Sequence, residues 1–247
     1  MKLLNHLSVI CLALFVTSCI SDDFKPKSIA ETSMTMSLQC DMEKNNSLVQ
    51  IQFFNDNNYT TELVGGNKIT FENEVLPYDA YGSRYALYKQ DKTIFQGVFS
   101  IEGDNGQTYK NIASINMCDV WMSVMEISAG DPLTITWDVE LVADESMSVY
   151  IYKDDLTDDG NTSGQSNINN QELVKSYTVD DDGATSLTIK GGDTQIFDEG
   201  SRYKVVCVRT LLTNKIDQAP PLGGQMLTKL FLPHMNLLVK KAENNEN

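Results

Sequence analysis

Histidine is scarce in this sequence, and metal and nucleophilic catalysis often depend on it. The 247 residues include two histidines, and no pair of cysteines or histidines has the spacing of a zinc site. Any serine or cysteine nucleophile would need His234, which follows a proline in an apolar stretch and is better suited to a structural role. A phosphate-binding glycine loop and a dinucleotide fingerprint are also missing. We therefore predict a protein that is not an enzyme and needs no cofactor.

Positive charge is also scarce. The chain has 19 lysines and arginines against 34 aspartates and glutamates, a net charge of −15. Nucleic acids and anionic lipid headgroups select basic patches, so we predict no nucleic-acid partner. The many carboxylates leave a hydrolase with a carboxylate pair as a minor alternative, although no pair is singled out by its setting.

The amino terminus carries the most specific signal. Lys2 is followed by an apolar run from Leu7 to Val16, which is too short to span a bilayer. Small residues 17 and 18 then precede Cys19. This segment resembles the lipobox of bacterial lipoproteins, which implies that residues 1–18 are a signal peptide and that Cys19 is acylated. The alternative is an ordinary secretory signal with a chance cysteine.

The residues after Cys19 bear on where the protein resides. Residues 21–28 are mostly polar and contain a proline, so we expect residues 19–30 to be the lipidated cysteine and a tether to a folded domain. Ile20 is not the aspartate that marks inner-membrane retention, so the resemblance implies the outer membrane. Residues 21–23, Ser-Asp-Asp, are similar to the acidic export tag of some surface lipoproteins. We expect a lipid-anchored protein on either the cell surface or the periplasmic face.

The first half of the mature chain has the pattern of β-strands. Met34, Met36, Leu38 and Cys40 alternate with polar residues, and further short runs are separated by turn signals. Even spacing without a helical window predicts an antiparallel β-sandwich over residues 31–117. Residues 118–131 form a joint that could be a helical turn or the first strand of a second domain.

The second half carries a family resemblance. Residues 133–139 alternate with Trp137 on the apolar face, and Gly200, Tyr203 and Val205 lie in a Gly-x-x-Tyr-x-Val run. This resembles fibronectin type III and immunoglobulin-like domains, in which a tryptophan packs the core and a tyrosine caps a corner. We therefore expect an all-β protein of two antiparallel β-sandwiches of this type, the second over residues 132–241, with a disordered tail at 242–247.

Three cysteines remain once Cys19 carries the lipid and the leader is removed. Cys40 and Cys118 would lie near the first and last strands of one domain, so a disulfide between them is compatible with an oxidising envelope. Cys207 lies in an apolar strand and is expected in the core.

Two groups of residues are candidates for binding. Asp155 and Asp159 lie in a loop with the oxygen spacing of a calcium site, but Ser166 replaces the usual glutamate, so a solvated loop is favoured and no metal is predicted. Tyr78 and Tyr81 lie close to Arg84 in the sequence and could form a surface on which sugars stack, and Trp121 is a second candidate for such stacking. The preferred interpretation is that the tyrosines cover one end of a sandwich and that Trp121 fills the seam between the domains.

These observations favour a binding function. We expect an outer-membrane lipoprotein that acts as a non-catalytic interaction module for a glycan or another envelope protein. The alternative is a structural spacer or assembly subunit whose edge strands pair with a partner.

Overall fold

A computed structural model describes residues 25–154 and 172–241. Nine strands lie between residues 33 and 114: β1 (Ser33–Asp41), β2 (Asn46–Phe54), β3 (Thr60–Thr61), β4 (Lys68–Phe71), β5 (Glu74–Val75), β6 (Tyr78–Asp79), β7 (Arg84–Lys89), β8 (Gln96–Glu102) and β9 (Thr108–Ser114). The remaining described elements are β10 (Val120–Met122), β11 (Glu126–Ile127), β12 (Leu133–Trp137), β13 (Glu145–Asp154), β14 (Leu173–Val179), β15 (Ser186–Ile189), β16 (Arg202–Thr213), β17 (Gly224–Phe231), β18 (Met235–Val239), a four-residue helix α1 (Gly191–Thr194) and a 3₁₀ turn (Ile29–Glu31). The all-β class is confirmed.

Alternation builds the strands of the first half. In β1 the side chains of Met34, Met36, Leu38 and Cys40 are buried, and β2 alternates in the same way along its whole length. Successive side chains of a strand point to opposite faces, so this pattern buries one face of the sheet and leaves the other toward water. The period-two prediction is confirmed here.

Most strands belong to one sheet. Its order is β11-β18-β16-β17-β1-β2-β7-β6, with β13 beside β16, β14 beside β13 and β3 beside β2. A four-stranded sheet has the order β5-β4-β8-β9, and a three-stranded sheet has the order β10-β12-β15. Buried side chains from all three sheets belong to one hydrophobic cluster.

The carboxyl-terminal strands connect the two halves of the sequence. β16 pairs with β18 through residues 202–205 and with β17 through residues 208–213. β17 in turn pairs in parallel with β1, with Met34 beside Gly224 and Asp41 beside Phe231. This parallel pair departs from the antiparallel pairing expected of every strand. A division into two domains at residues 118–131 stays a prediction.

The segment between the halves is extended. β10 pairs with β12, placing Val120 opposite Trp137, and β11 pairs in parallel with β18. Of the two alternatives for this segment, the structure has the strand and not the helical turn.

The residues behind the family resemblance have the expected environments. Trp137 is buried, and its Nε1 donates a hydrogen bond to the Ala184 carbonyl at 2.9 Å. Tyr203 is buried, and its hydroxyl accepts a hydrogen bond of 2.7 Å from the Asp198 backbone N–H. Gly200 has a φ of +78°, a conformation that favours glycine. The buried tyrosine thus closes a corner by bonding to backbone a few residues upstream.

Within the described residues, no helix combines the length and apolar character needed to cross a membrane.

Candidate functional site

The predicted tyrosine cluster lies on a hairpin at the edge of the large sheet. Tyr78 and Tyr85 face each other across β6 and β7 with ring centroids 5.0 Å apart, and Tyr85 also packs edge-on against Phe53 at 5.8 Å. Burial raises the pKa of both Tyr78 and Tyr85. Tyr85 packs against the hydrophobic core and Tyr78 is half-buried, and the question whether these tyrosines bind a ligand or cover a sandwich end stays open. Tyr81 at the turn is fully exposed.

Arg84 is committed to its neighbours. Its Nε lies 3.4 Å from Oδ2 of Asp79, and its Nη1 donates a 2.8 Å hydrogen bond to Oε1 of Gln50. The same carboxylate group of Asp79 accepts the backbone N–H of Tyr81 at 3.1 Å. The guanidinium therefore fixes the hairpin on the sheet.

Trp121 lies away from this hairpin. It belongs to β10 in the three-stranded sheet, opposite Thr136, and nearly half of its surface is exposed. The described residues do not bury it in a seam, so that part of the sequence interpretation is wrong. The structure brings Tyr78, Tyr81 and Arg84 together and leaves Trp121 on another sheet.

An apolar surface that the sequence did not predict lies on the outer face of the large sheet, across β13, β16 and β17. We call it the outer-face patch, and its members alternate with core residues: Tyr150, Tyr152, Val206, Val208 and Phe231. Tyr150 is opposite Val206, and Val208 is opposite Phe231. Val208 is only 6% exposed yet lies outside the hydrophobic core cluster, because its cross-strand neighbours cover it.

The two tyrosines of the patch form a pair. Their ring centroids are 6.4 Å apart and the rings are inclined by 31°. Burial raises the pKa of the Tyr152 phenol, and Tyr150 beside it adds to the effect. The hydroxyl therefore stays protonated at neutral pH and is available as a hydrogen-bond donor.

Polar groups border the patch at one end of the sheet. Lys204 is opposite Tyr152, and its ammonium lies 3.6 Å from Oδ1 of Asp154. Both charged side chains are less than 15% exposed, so the pair is held in place rather than free in solvent. Ser148 and Thr178 are joined by a 3.4 Å hydrogen bond on the same face. The patch thus combines apolar rings with fixed polar groups, as binding surfaces do.

The cysteines differ from the prediction in one respect. Cys40, Cys118 and Cys207 are free, buried thiols, so Cys40 and Cys118 do not form a disulfide. The reason is that each has a different environment: Cys40 donates a hydrogen bond to the carbonyl of Ile94, whereas Cys118 lies beside Arg209. Burial raises the pKa of Cys40 to about 11 and that of Cys207 to about 12. Neither is a reactive thiolate, and Cys207 is in the core as expected.

A buried ion pair lies under the large sheet. The guanidinium of Arg209 contacts the Glu145 carboxylate, and it also donates to the carbonyls of Val139 at 3.0 Å and Glu140 at 2.8 Å. Burial disfavours the charge of Arg209, but the hydrogen bonds with Glu145 and Cys118 and the charges of these two groups together outweigh burial and raise the pKa of Arg209. Because both groups are sealed from solvent and matched to each other, the pair has a structural role.

A surface pocket of about 540 Å³ opens beside the start of β1 and β17. Amide and hydroxyl side chains contribute much of its lining, among them Ser33, Thr35, Asn58, Asn214 and Gln225. It contains no charged side chain, and nothing in its chemistry selects a reaction.

Several predicted residues cannot be placed. Cys19, Asp155 and Asp159 lie outside the described residues. In residues 25–154 and 172–241, no group of three or more histidine, cysteine or carboxylate side chains could hold a metal ion.

No protein-family model and no curated protein sequence matches the chain. Among solved structures it is similar to a cytokine receptor complex, with 10% identity, a TM-score of 0.30 and coverage of 84% of this chain and 98% of the other. It is also similar to murine CEACAM1b, with 11% identity, a TM-score of 0.23 and coverage of 83% and 99%. It is also similar to the central fibronectin-III array of RIM-binding protein, with 13% identity, a TM-score of 0.23 and coverage of 90% of this chain and 72% of the other. With TM-scores this low, the all-β class depends on the strands themselves.

Proposed function

We propose that this protein is a lipid-anchored binding module of a bacterial envelope, attached to the outer membrane through Cys19. Its role is to bind a glycan or another envelope protein without transforming it. The observation that supports this proposal is the outer-face patch, where Tyr150 and Tyr152 lie side by side on a sheet of eleven strands. Rings fixed on a rigid strand lose little conformational entropy on binding, which suits them to recognition.

Substitution of the tyrosine pair tests the binding surface. The full-length protein carrying Tyr150→Ala and Tyr152→Ala is compared with the wild type on a glycan array and in capture from solubilised envelopes. Tyr88→Ala is the matched control, because Tyr88 is an exposed tyrosine on β7 of the same sheet. We expect the double variant to lose at least about tenfold in affinity, equivalent to about 1.4 kcal/mol, and the control to bind normally. Equal loss in both variants would count against the patch.

The lipid anchor has its own test. Intact cells that express the wild type or Cys19→Ala are treated with a protease. We expect the wild type to fractionate with the outer membrane and the variant to be released. Digestion of the wild type on intact cells indicates the cell surface, and protection indicates the periplasmic face.

An assembly role is the second candidate, and one observation favours it. Among the described residues β14 pairs with β13 alone, so its seven residues form a sheet edge in that part of the chain. Such an edge is a template for an added strand. A partner that pairs there would slow amide hydrogen exchange in residues 173–179, whereas a ligand on the outer-face patch would leave these edge amides largely unchanged.

A further inference from the structure

The amino-terminal segment is docked onto the fold before the first strand begins. The Thr61 hydroxyl donates a 3.1 Å hydrogen bond to the Lys25 carbonyl. The backbone of Lys27 forms a parallel bridge with Leu63. The Lys27 N–H donates a hydrogen bond to the Glu62 carbonyl, and the Lys27 carbonyl accepts one from the Val64 N–H, each at 2.9 Å. These bonds attach the chain to the fold from Lys25 onward.

Ile29 completes the docking. Its side chain is fully buried, and its backbone N–H donates a 3.2 Å hydrogen bond to Oδ1 of Asp104. Asp104 itself is held by Asn67, whose Oδ1 accepts the Asp104 backbone N–H at 2.9 Å. Because the Ile29 side chain belongs to the hydrophobic core cluster, this attachment is not a loose surface contact.

The length of chain beyond the docked segment limits how far the fold can move from an acylated Cys19. Five residues lie between Cys19 and Lys25, so six Cα-to-Cα steps join them. Even a fully extended chain spans at most about 3.6 Å per residue, so the two Cα atoms lie within about 22 Å of each other.

The strand register shows which parts of the fold share the docked end. Tyr85 accepts the Leu63 backbone N–H at 3.2 Å, so the hairpin that carries Tyr81 lies beside the docked segment. Met34 at the start of β1 is paired with Gly224 of β17, and Met226, two residues further along β17, is paired with Thr213. Thr213, the last residue of β16, therefore lies at the same end of the sheet as the start of β1.

The opposite end lies along the same strand. β16 runs back from Thr213 to Arg202, which is paired with Asp154 of β13. The eleven residue steps of this strand, at about 3.3 Å each, separate the two ends by roughly 36 Å. Glu172, whose carbonyl accepts the Lys153 N–H, lies at this distant end.

We propose, on the basis of the lipid anchor in the proposed function, that the docked segment holds the Tyr81 hairpin against the bilayer surface. The partner of this end is the headgroup layer of the lipid bilayer. Tyr81 suits the position because its side chain is fully exposed and combines an apolar ring with a hydroxyl, a combination enriched at membrane interfaces. Tyr152 and its neighbours in the outer-face patch then lie at the end of the sheet that is farther from the membrane, where a partner can reach them.

Energy transfer to labelled lipids tests this orientation. Full-length lipidated protein carries a donor dye at Tyr81→Cys or at Glu172→Cys and is reconstituted in phosphatidylethanolamine–phosphatidylglycerol vesicles that contain an acceptor lipid. The native thiols Cys40, Cys118 and Cys207 are buried, so the unsubstituted protein serves as the labelling control. We expect at least twofold higher transfer from position 81 than from position 172.

A longer tether provides a second test of the orientation. Insertion of about twelve glycine and serine residues between Phe24 and Lys25 leaves the docking bonds intact but frees the fold from the surface. We expect the difference between positions 81 and 172 to disappear. Equal transfer from the two positions without the insertion, or higher transfer from position 172, would overturn the orientation while leaving the anchor in place. Protein that fails to float with the vesicles would overturn the anchor and the orientation together.

Discussion

At the scale of single residues, the buried Arg209–Glu145 pair gives the sharpest stability prediction. Arg209→Met leaves the Glu145 carboxylate sealed from solvent without its cation. We expect a loss of about 3–5 kcal/mol in the free energy of unfolding, measured in urea. The double variant Arg209→Met with Glu145→Met removes both charges and should recover most of that loss. A double variant as unstable as the single one would show that packing, not charge, is at stake.

The buried thiols predict how stability depends on pH. Burial raises the folded-state pKa of Cys40 to about 11 and that of Cys207 to about 12, from the ordinary thiol value of 9.0. Because the unfolded chain loses these protons first, their contribution is complete below pH 9 and falls as pH rises toward 11. Each thiol contributes a slope of up to about 1.4 kcal/mol per pH unit in that window.

Comparison with Cys40→Ala isolates the effect, since lysines and tyrosines titrate equally in both proteins. Urea unfolding at a series of pH values from 8 to 11 should show a shallower decline for the variant. Parallel curves for the two proteins would contradict the assignment of the slope to the Cys40 thiol.

Single residues also show the reach of sequence reasoning. Trp137 and Tyr203 were predictable because each has a local motif around it. Tyr150 and Tyr152 were not, because alternation marks them only as the outer face of a strand. Their importance arises from β16 and β17, which place Val206, Val208 and Phe231 beside them.

At the scale of elements, β17 is the strand on which the large sheet depends. It pairs with β16 on one side and with β1 on the other, and Thr228 is buried within it. Thr228→Pro removes a backbone donor and introduces a ring clash, so we expect a loss of about 3 kcal/mol or more. Thr228→Ala keeps the N–H and should cost clearly less.

Hydrogen exchange distinguishes a local from a shared effect of Thr228→Pro. We expect amides in both β1 and β16 to lose protection, because the two strands depend on β17 between them. Loss of protection in β16 alone would show that β1 is stable without its parallel neighbour.

Most strands could be predicted, but their partners could not. Periodicity is a local property, and it located β1 and β12 closely. β14 was not predicted because Lys175 and Ser176 interrupt its apolar residues. The pairing of β17 with β1 joins residues almost 200 positions apart, and Pro233 gave only the break after β17. No local signal encodes the choice of a distant partner.

At the scale of the whole molecule, the shared sheet predicts cooperative unfolding. In a variant that carries Trp121→Phe, Cys118→Ala and Cys207→Ala, Trp137 reports on the second half of the chain through its fluorescence, and the buried Cys40 reports on the first half through its reaction with a thiol reagent. β17 hydrogen-bonds to strands of both halves, so neither half can unfold fully without breaking that shared ladder. We expect the two probes to give the same midpoint in urea, as a two-state transition requires. Separate midpoints would mean that β17 joins two independently stable units divided near residues 118–131. Thr228→Pro should then lower the midpoint of one probe and leave the other unchanged.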